Sequence, residues 1–114
     1  MPVSFKITQE KLCCFIKGDV DHHTAPDIRD SIDDAIIINE NVKTVELDFS
    51  EVSFMDSSGI GLVMGRYRLI VSKGKKLVVS NLAERDFKIM KMSGIEKLAT
   101  ITQKDKKGRL GNNL

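Results

Sequence analysis

Two serines stand between an aspartate and a glycine in Phe54-Met55-Asp56-Ser57-Ser58-Gly59-Ile60-Gly61. The stretch reads as a strand exit that opens a helix. Backbone N–H groups at a helix start lack partners inside the helix, and the macrodipole places about half a positive charge there. A hydroxyl at that point has two roles open to it. It caps the helix, with Asp56 complementing the dipole and the glycines permitting the turn. Alternatively it accepts a phosphate, whose charge meets free donors and a favourable field. Gly59 and Gly61 carry no side chain that would block a visiting protein, so one site would be flat, dockable and chargeable.

Other reactive residues are less productive. His22 and His23 are adjacent, and neighbours seldom converge on one ion; no cysteine or third histidine stands at ligand spacing. A serine nucleophile with either histidine as base lacks the Gly-x-Ser-x-Gly elbow and a third triad member. Gly59-Ile60-Gly61 lacks the lysine of a phosphate-binding loop. These absences argue against an enzyme. Ile60, Leu62 and Met64 read as core or as an apolar docking patch. Arg66 pairs with a partner's carboxylate or with its own surface, and Lys73, Lys75 and Lys76 read as an ordinary charged turn.

The elements that must position the serines follow from periodicity. Val3, Phe5 and Ile7 alternate with polar residues, and Leu12 to Ile16 is apolar after a polar turn, so a hairpin is expected. Thr24 with Pro26 and Asp27 reads as a helix N-cap, followed by an apolar stripe of Ile28, Ile32, Ala35 and Ile36. Val45, Leu47 and Phe49 predict a strand ending near Ser50, with a loop over 53–61 and a helix body over 60–72. That helix is apolar nearly all round at its start, which calls for a packing partner besides the sheet. Leu77-Val78-Val79 predicts a buried strand; Ala83, Phe87 and Met90 a helix stopped by Gly94; and 98–101 a last short strand. Strands alternating with helices give an α/β fold, a mixed and mostly parallel sheet entered through a hairpin.

The chain of 114 residues fits one domain over 1–102, with 103–114 expected to be a flexible tail. Four of the 18 Lys and Arg residues fall in that tail, so 1–102 carries 14 positive and 15 negative charges. A near-neutral body offers no basic face to nucleic acid. Cys13 and Cys14 would point to opposite faces of a strand and cannot readily bridge, which suits a reducing compartment. No leader-like or membrane-length apolar run is present, so a cytoplasmic protein is expected.

Asp21-His22-His23-Thr24-Ala25, the block from Val52 to Gly61, Gly65-Arg66-Tyr67 and Met92-Ser93-Gly94 together make the chain resemble the STAS family of anti-sigma factor antagonists. The likeness is closest over 44–72 and looser over 3–101. It implies the STAS fold, with about three or four helices on the sheet. It also implies a partner switch. The unphosphorylated antagonist binds an anti-sigma factor that is also a serine kinase and so releases the sigma factor. The kinase uses ATP to phosphorylate the serine after the aspartate, here Ser57, and a metal-dependent PP2C-type phosphatase reverses this; nucleotide and metal belong to the partners, and the antagonist has no cofactor. The resemblance places Asp21, His22, His23 and Thr24 beside the phosphorylation site and against the partner, and Asp56, Ser58, Gly59, Ile60, Gly61, Met64 and Arg66 are expected on the same surface. Within the family it favours the sporulation branch over stress-response antagonists, where threonine is more often expected at the second hydroxyl, and over the STAS modules of anion transporters.

Overall fold

The computed structural model describes residues 2–105. β1 (Val3–Thr8) and β2 (Lys11–Val20) form the expected antiparallel hairpin, with Thr8 opposite Lys11 and Gln9 turning the chain at φ 53°. Three crossovers follow. α1 (Ala25–Ile38) leads to β3 (Thr44–Met55), α2 (Ser58–Ser72) to β4 (Lys76–Leu82), and α3 (Glu84–Met92) with a 3-10 turn (Ile95–Lys97) to β5 (Thr100–Gln103). The sheet order is β1-β2-β3-β4-β5, and every pair after the hairpin is parallel. Right-handed crossovers that always step the same way put all three helices on one face.

The burial pattern agrees. Leu12, Cys14 and Ile16 of β2, Val45 and Leu47 of β3, and Leu77 and Val79 of β4 are buried together with Ile28, Ile32 and Ile36 of α1, Leu62, Val63 and Ile70 of α2, and Met90 of α3. Alternate strand positions carry a polar network on the other face. Lys11 donates to Glu46 at 2.8 Å, Ser80 to the second Glu46 oxygen at 2.6 Å, and Asn81 to Asp48 at 3.0 Å. Cys13 and Cys14 do take opposite faces, both as free thiols. Burial pushes the Cys14 thiol up to about 12, which leaves it inert as a nucleophile.

Several expectations shift. β3 runs five residues beyond Ser50, because β2 continues to pair with it as far as Val20 opposite Met55, across a bulge near Gly18 with φ 90°. β4 pairs with β3 only from Thr44 to Asp48, so among the described residues the last part of β3 has β2 as its one neighbour, and with Glu51, Ser53 and Phe54 exposed it does not alternate as a half-buried strand would. The partner demanded by the apolar start of α2 is α1, which packs beside it. Lys75 is not turn decoration: it is buried, and its ammonium donates to the Glu40 and Val42 carbonyls at 2.7 and 2.6 Å. The last strand begins at Thr100, and the Lys104 N–H still bonds the Leu82 carbonyl at 2.7 Å. Residues 106–114 of the expected tail lie outside the described residues.

Candidate functional site

In an open parallel sheet the loops leaving the carboxyl ends of the strands share one rim, which is where such folds bind ligands. Here that rim collects the turn from β2 to α1, the turn from β3 to α2, and the start of α3 after β4. The two sequence blocks that stood far apart, around His22 and around Ser57, are thereby neighbours.

The first two turns are each built by an aspartate. Asp21 Oδ1 accepts the N–H groups of His23 and Thr24 at 2.9 and 3.0 Å, and these bonds hold its carboxyl below the usual range. Thr24 occupies the N-cap position but makes no capping bond; its hydroxyl instead donates to the Asp19 carbonyl at 2.9 Å and braces the turn. His22 and His23 are exposed, with ring centroids 4.1 Å apart. In the second turn Asp56 Oδ1 accepts the Ser58 N–H at 2.8 Å. Ser57 is the N-cap residue, yet its side chain makes no capping bond and is exposed to solvent. Neither serine caps the helix through its hydroxyl; Asp56 does that work.

The donors expected to be free at the start of α2 are engaged. Ser58 N–H goes to Asp56 Oδ1, Gly59 N–H to the Asp56 carbonyl at 3.0 Å, and Ile60 N–H to the Ser57 carbonyl at 3.1 Å. A phosphate on Ser57 would feel the macrodipole, but it would also meet the Asp56 carboxylate.

A cleft of about 320 Å³ runs between the starts of α1 and α2 and joins His22, Ala25, Pro26 and Arg29 to Ser58, Gly61, Leu62 and Arg66. Gly61 is exposed and a Cβ there would meet open space, so nothing in the chain's own packing requires a glycine. Gly59 differs: it is buried, and a Cβ there would collide with Cγ and Sδ of Met55. Its role is close packing of α2 on the end of β3, not exposure to a visitor. Ile60 and Met64 are partly buried against the core.

Arg66 is also turned inward. It is 7% exposed, and its Nε lies 2.7 Å from Asp33 Oδ1 on α1, a contact held by charge without an aligned N–H···O bond. Burial pulls the guanidinium pKa down and pushes the Asp33 carboxyl up, each opposed by the partner's charge. Arg66 therefore ties α2 to α1 beneath the cleft, and a partner's carboxylate would have to displace Asp33 to reach it.

Two further rim residues are not singled out by the sequence. Phe54 is 51% exposed at the strand exit. Arg85, second residue of α3, reaches the Met55 carbonyl with Nη1 at 3.4 Å and Asp86 Oδ1 at 3.3 Å. Its signal was present in the sequence: a cation in the first turn of a helix opposes the macrodipole.

The STAS domain model matches residues 3–107. The anti-sigma F factor antagonist of Paenibacillus polymyxa is 35% identical over 86 residues, 75% of this chain and 73% of that one. The anti-sigma-B factor antagonist of Listeria monocytogenes is 26% identical over 116 residues, 99% of this chain and 98% of that one. Among solved structures, the anti-sigma factor antagonist SpoIIAA in its unphosphorylated form superposes with a TM-score of 0.72 at 31% identity, over 87% of this chain and 86% of that one. Among the described residues, no helix is long and apolar enough to cross a membrane.

Proposed function

This chain belongs to the STAS family and is an anti-sigma factor antagonist, a regulator rather than an enzyme, and on that premise we propose that phosphorylation of Ser57 switches its partner binding off. The unphosphorylated chain binds an anti-sigma factor that is also a serine kinase and so frees the sigma factor. The kinase phosphorylates Ser57 with its own bound ATP, and a PP2C-type phosphatase carrying its own metal restores the binding form. The setting is the cytoplasm, and the regulated programme is sporulation.

The observation that carries this reading is the Ser57 hydroxyl: exposed, uninvolved in capping, and on the same rim as His22 and the cleft. Phosphorylation adds roughly −1.5 to −2 charge there. Asp56 already places a carboxylate beside it, so the docking surface turns strongly anionic. Against a partner presenting carboxylates or nucleotide phosphates, that juxtaposition costs several kcal/mol.

Mass spectrometry after incubation with the cognate kinase and ATP tests the reading. One phosphate on Ser57 is expected; no phosphate, or one on Ser58 alone, overturns it. A stress-response role is the second reading, favoured by the anti-sigma-B relative that aligns over nearly the whole chain. Direct binding to the two kinds of anti-sigma kinase separates the branches, because the tighter partner identifies the pathway.

A further inference from the structure

Arg85 has a surplus of donors. Its side chain is 69% exposed, and its described bonds use Nη1 alone, one long contact to the Met55 carbonyl and one to Asp86. A guanidinium carries five N–H groups in a planar fork that fits phosphate. The positive end of α3 is directed at Arg85, and the first-turn acids Glu84 and Asp86 offset that field. Met55, the residue whose carbonyl Arg85 touches, is two residues ahead of Ser57. Successive Cα atoms are 3.8 Å apart, so the Ser57 Cα lies no more than about 7.6 Å from that of Met55. The Arg85 contact with the Met55 carbonyl thus puts the guanidinium on the strand end that leads directly into Ser57.

The need for such a group follows from the second turn. The first N–H groups of α2 are occupied by Asp56 and by backbone carbonyls, and the Asp56 carboxylate adds a like charge. A phosphate on Ser57 therefore has few local donors. Of the other charges near the start of α3, Asp86 is the present partner of Arg85, and Glu84 lies 3.5 Å from Lys88. His22 and His23 stand on the neighbouring turn.

We propose that Arg85 is an intramolecular clamp for the phosphate on Ser57, leaving Asp86 to form a forked ion pair with it. The proposal rests on Ser57 being the modified residue. It adds that the phosphorylated state is held by the chain itself: the phosphate is pinned to the rim, and a phosphatase must compete with Arg85 to remove it.

The test places phosphoserine at position 57 of the full chain by co-translational incorporation, so that no kinase is needed. Its second ionisation is followed by phosphorus NMR in the wild type and in Arg85→Ala, Arg85→Lys and Lys88→Ala. The clamp requires the phosphate pKa in Arg85→Ala to lie above the wild type by about half a unit or more, with Arg85→Lys intermediate and Lys88→Ala unchanged. Identical titrations in wild type and Arg85→Ala overturn the clamp, whatever the variant does to stability. A kinase that leaves Ser57 unmodified would instead count against the switch, and the titration would still decide the clamp.

Discussion

The Asp56 carboxylate accepts the Ser58 N–H at 2.8 Å, passing over Ser57 and leaving the hydroxyl between them outside the helix's hydrogen bonding. A serine used as a cap would give up its helix contact whenever it was modified. Here the fold and the proposed chemistry are separated by one residue: Asp56 holds the helix, and a change of charge at Ser57 would leave that bond intact.

That separation predicts substitutions silent in stability and loud in binding. Ser57→Ala and Ser57→Asp should each unfold within about 0.5 kcal/mol of wild type in denaturant, as exposed positions do. Titration calorimetry with the kinase partner should show Ser57→Ala binding as tightly as unmodified wild type and staying bound in the presence of ATP. Ser57→Asp should bind at least about tenfold more weakly, since one carboxylate carries only part of the phosphate charge. Equal affinities for all three proteins would remove the switch.

Gly59 and Gly61, two of the three glycines of α2, should part company. Gly61→Ala meets open space in an exposed helix position, so it should raise stability by up to about 1 kcal/mol while weakening partner binding at the cleft. Gly59→Ala drives a methyl into buried Met55 and should cost about 1–3 kcal/mol. Thermal melts beside binding isotherms read both. A Gly61→Ala protein that is more stable and binds as well as wild type would show that the cleft is not part of the interface.

Periodicity was informative wherever a side chain's environment matched its type. The stripe of Ile28, Ile32 and Ile36, the run around Val79 and the stop at Gly94 all stand as read. It failed where the backbone alone decided. Glu51 to Met55 extend β3 because β2 supplies main-chain partners on either side of Ser53, which no side-chain pattern records. It failed again where a charged residue was buried by partners distant in sequence. Arg66 meets Asp33 of another helix, and Lys75 meets carbonyls 35 and 33 residues away. The sequence blocks proposed as the site do come together, with His22 and Gly61 on one cleft beside Ser58. What sequence did not give was the inward turn of Gly59 and Arg66, or the approach of Arg85.

Lys75 offers a test of that buried wiring. Its ammonium is the donor to both the Glu40 and Val42 carbonyls, which close the chain between α1 and β3. Lys75→Met keeps the stem but strands two acceptors, and should cost about 2 kcal/mol of stability. Partner affinity should be unchanged, because the bond lies at the opposite end of the sheet from Ser57. A variant as stable as wild type would mean that water satisfies these carbonyls instead.

The Arg66–Asp33 pair predicts a pH signature. Burial raises the Asp33 pKa in the folded chain, and the Arg66 charge works against that rise. Arg66→Met removes the opposing charge, so the folded-state pKa climbs further. A carboxyl raised on folding binds its proton more readily in the native state. Its protonation stabilises the fold as pH falls through the folded value, and the benefit is lost as pH rises through it. Arg66→Met should therefore be about 2 kcal/mol less stable than wild type at pH 7, a figure kept modest because Asp33 is partly solvated. The deficit should shrink toward pH 5. The double variant Asp33→Asn, Arg66→Met buries no unpaired charge and should lose the pH dependence of the deficit. Denaturant melts across that range decide the matter: a deficit constant from pH 5 to 7 would place its origin in lost packing of the arginine stem and not in an uncompensated carboxylate.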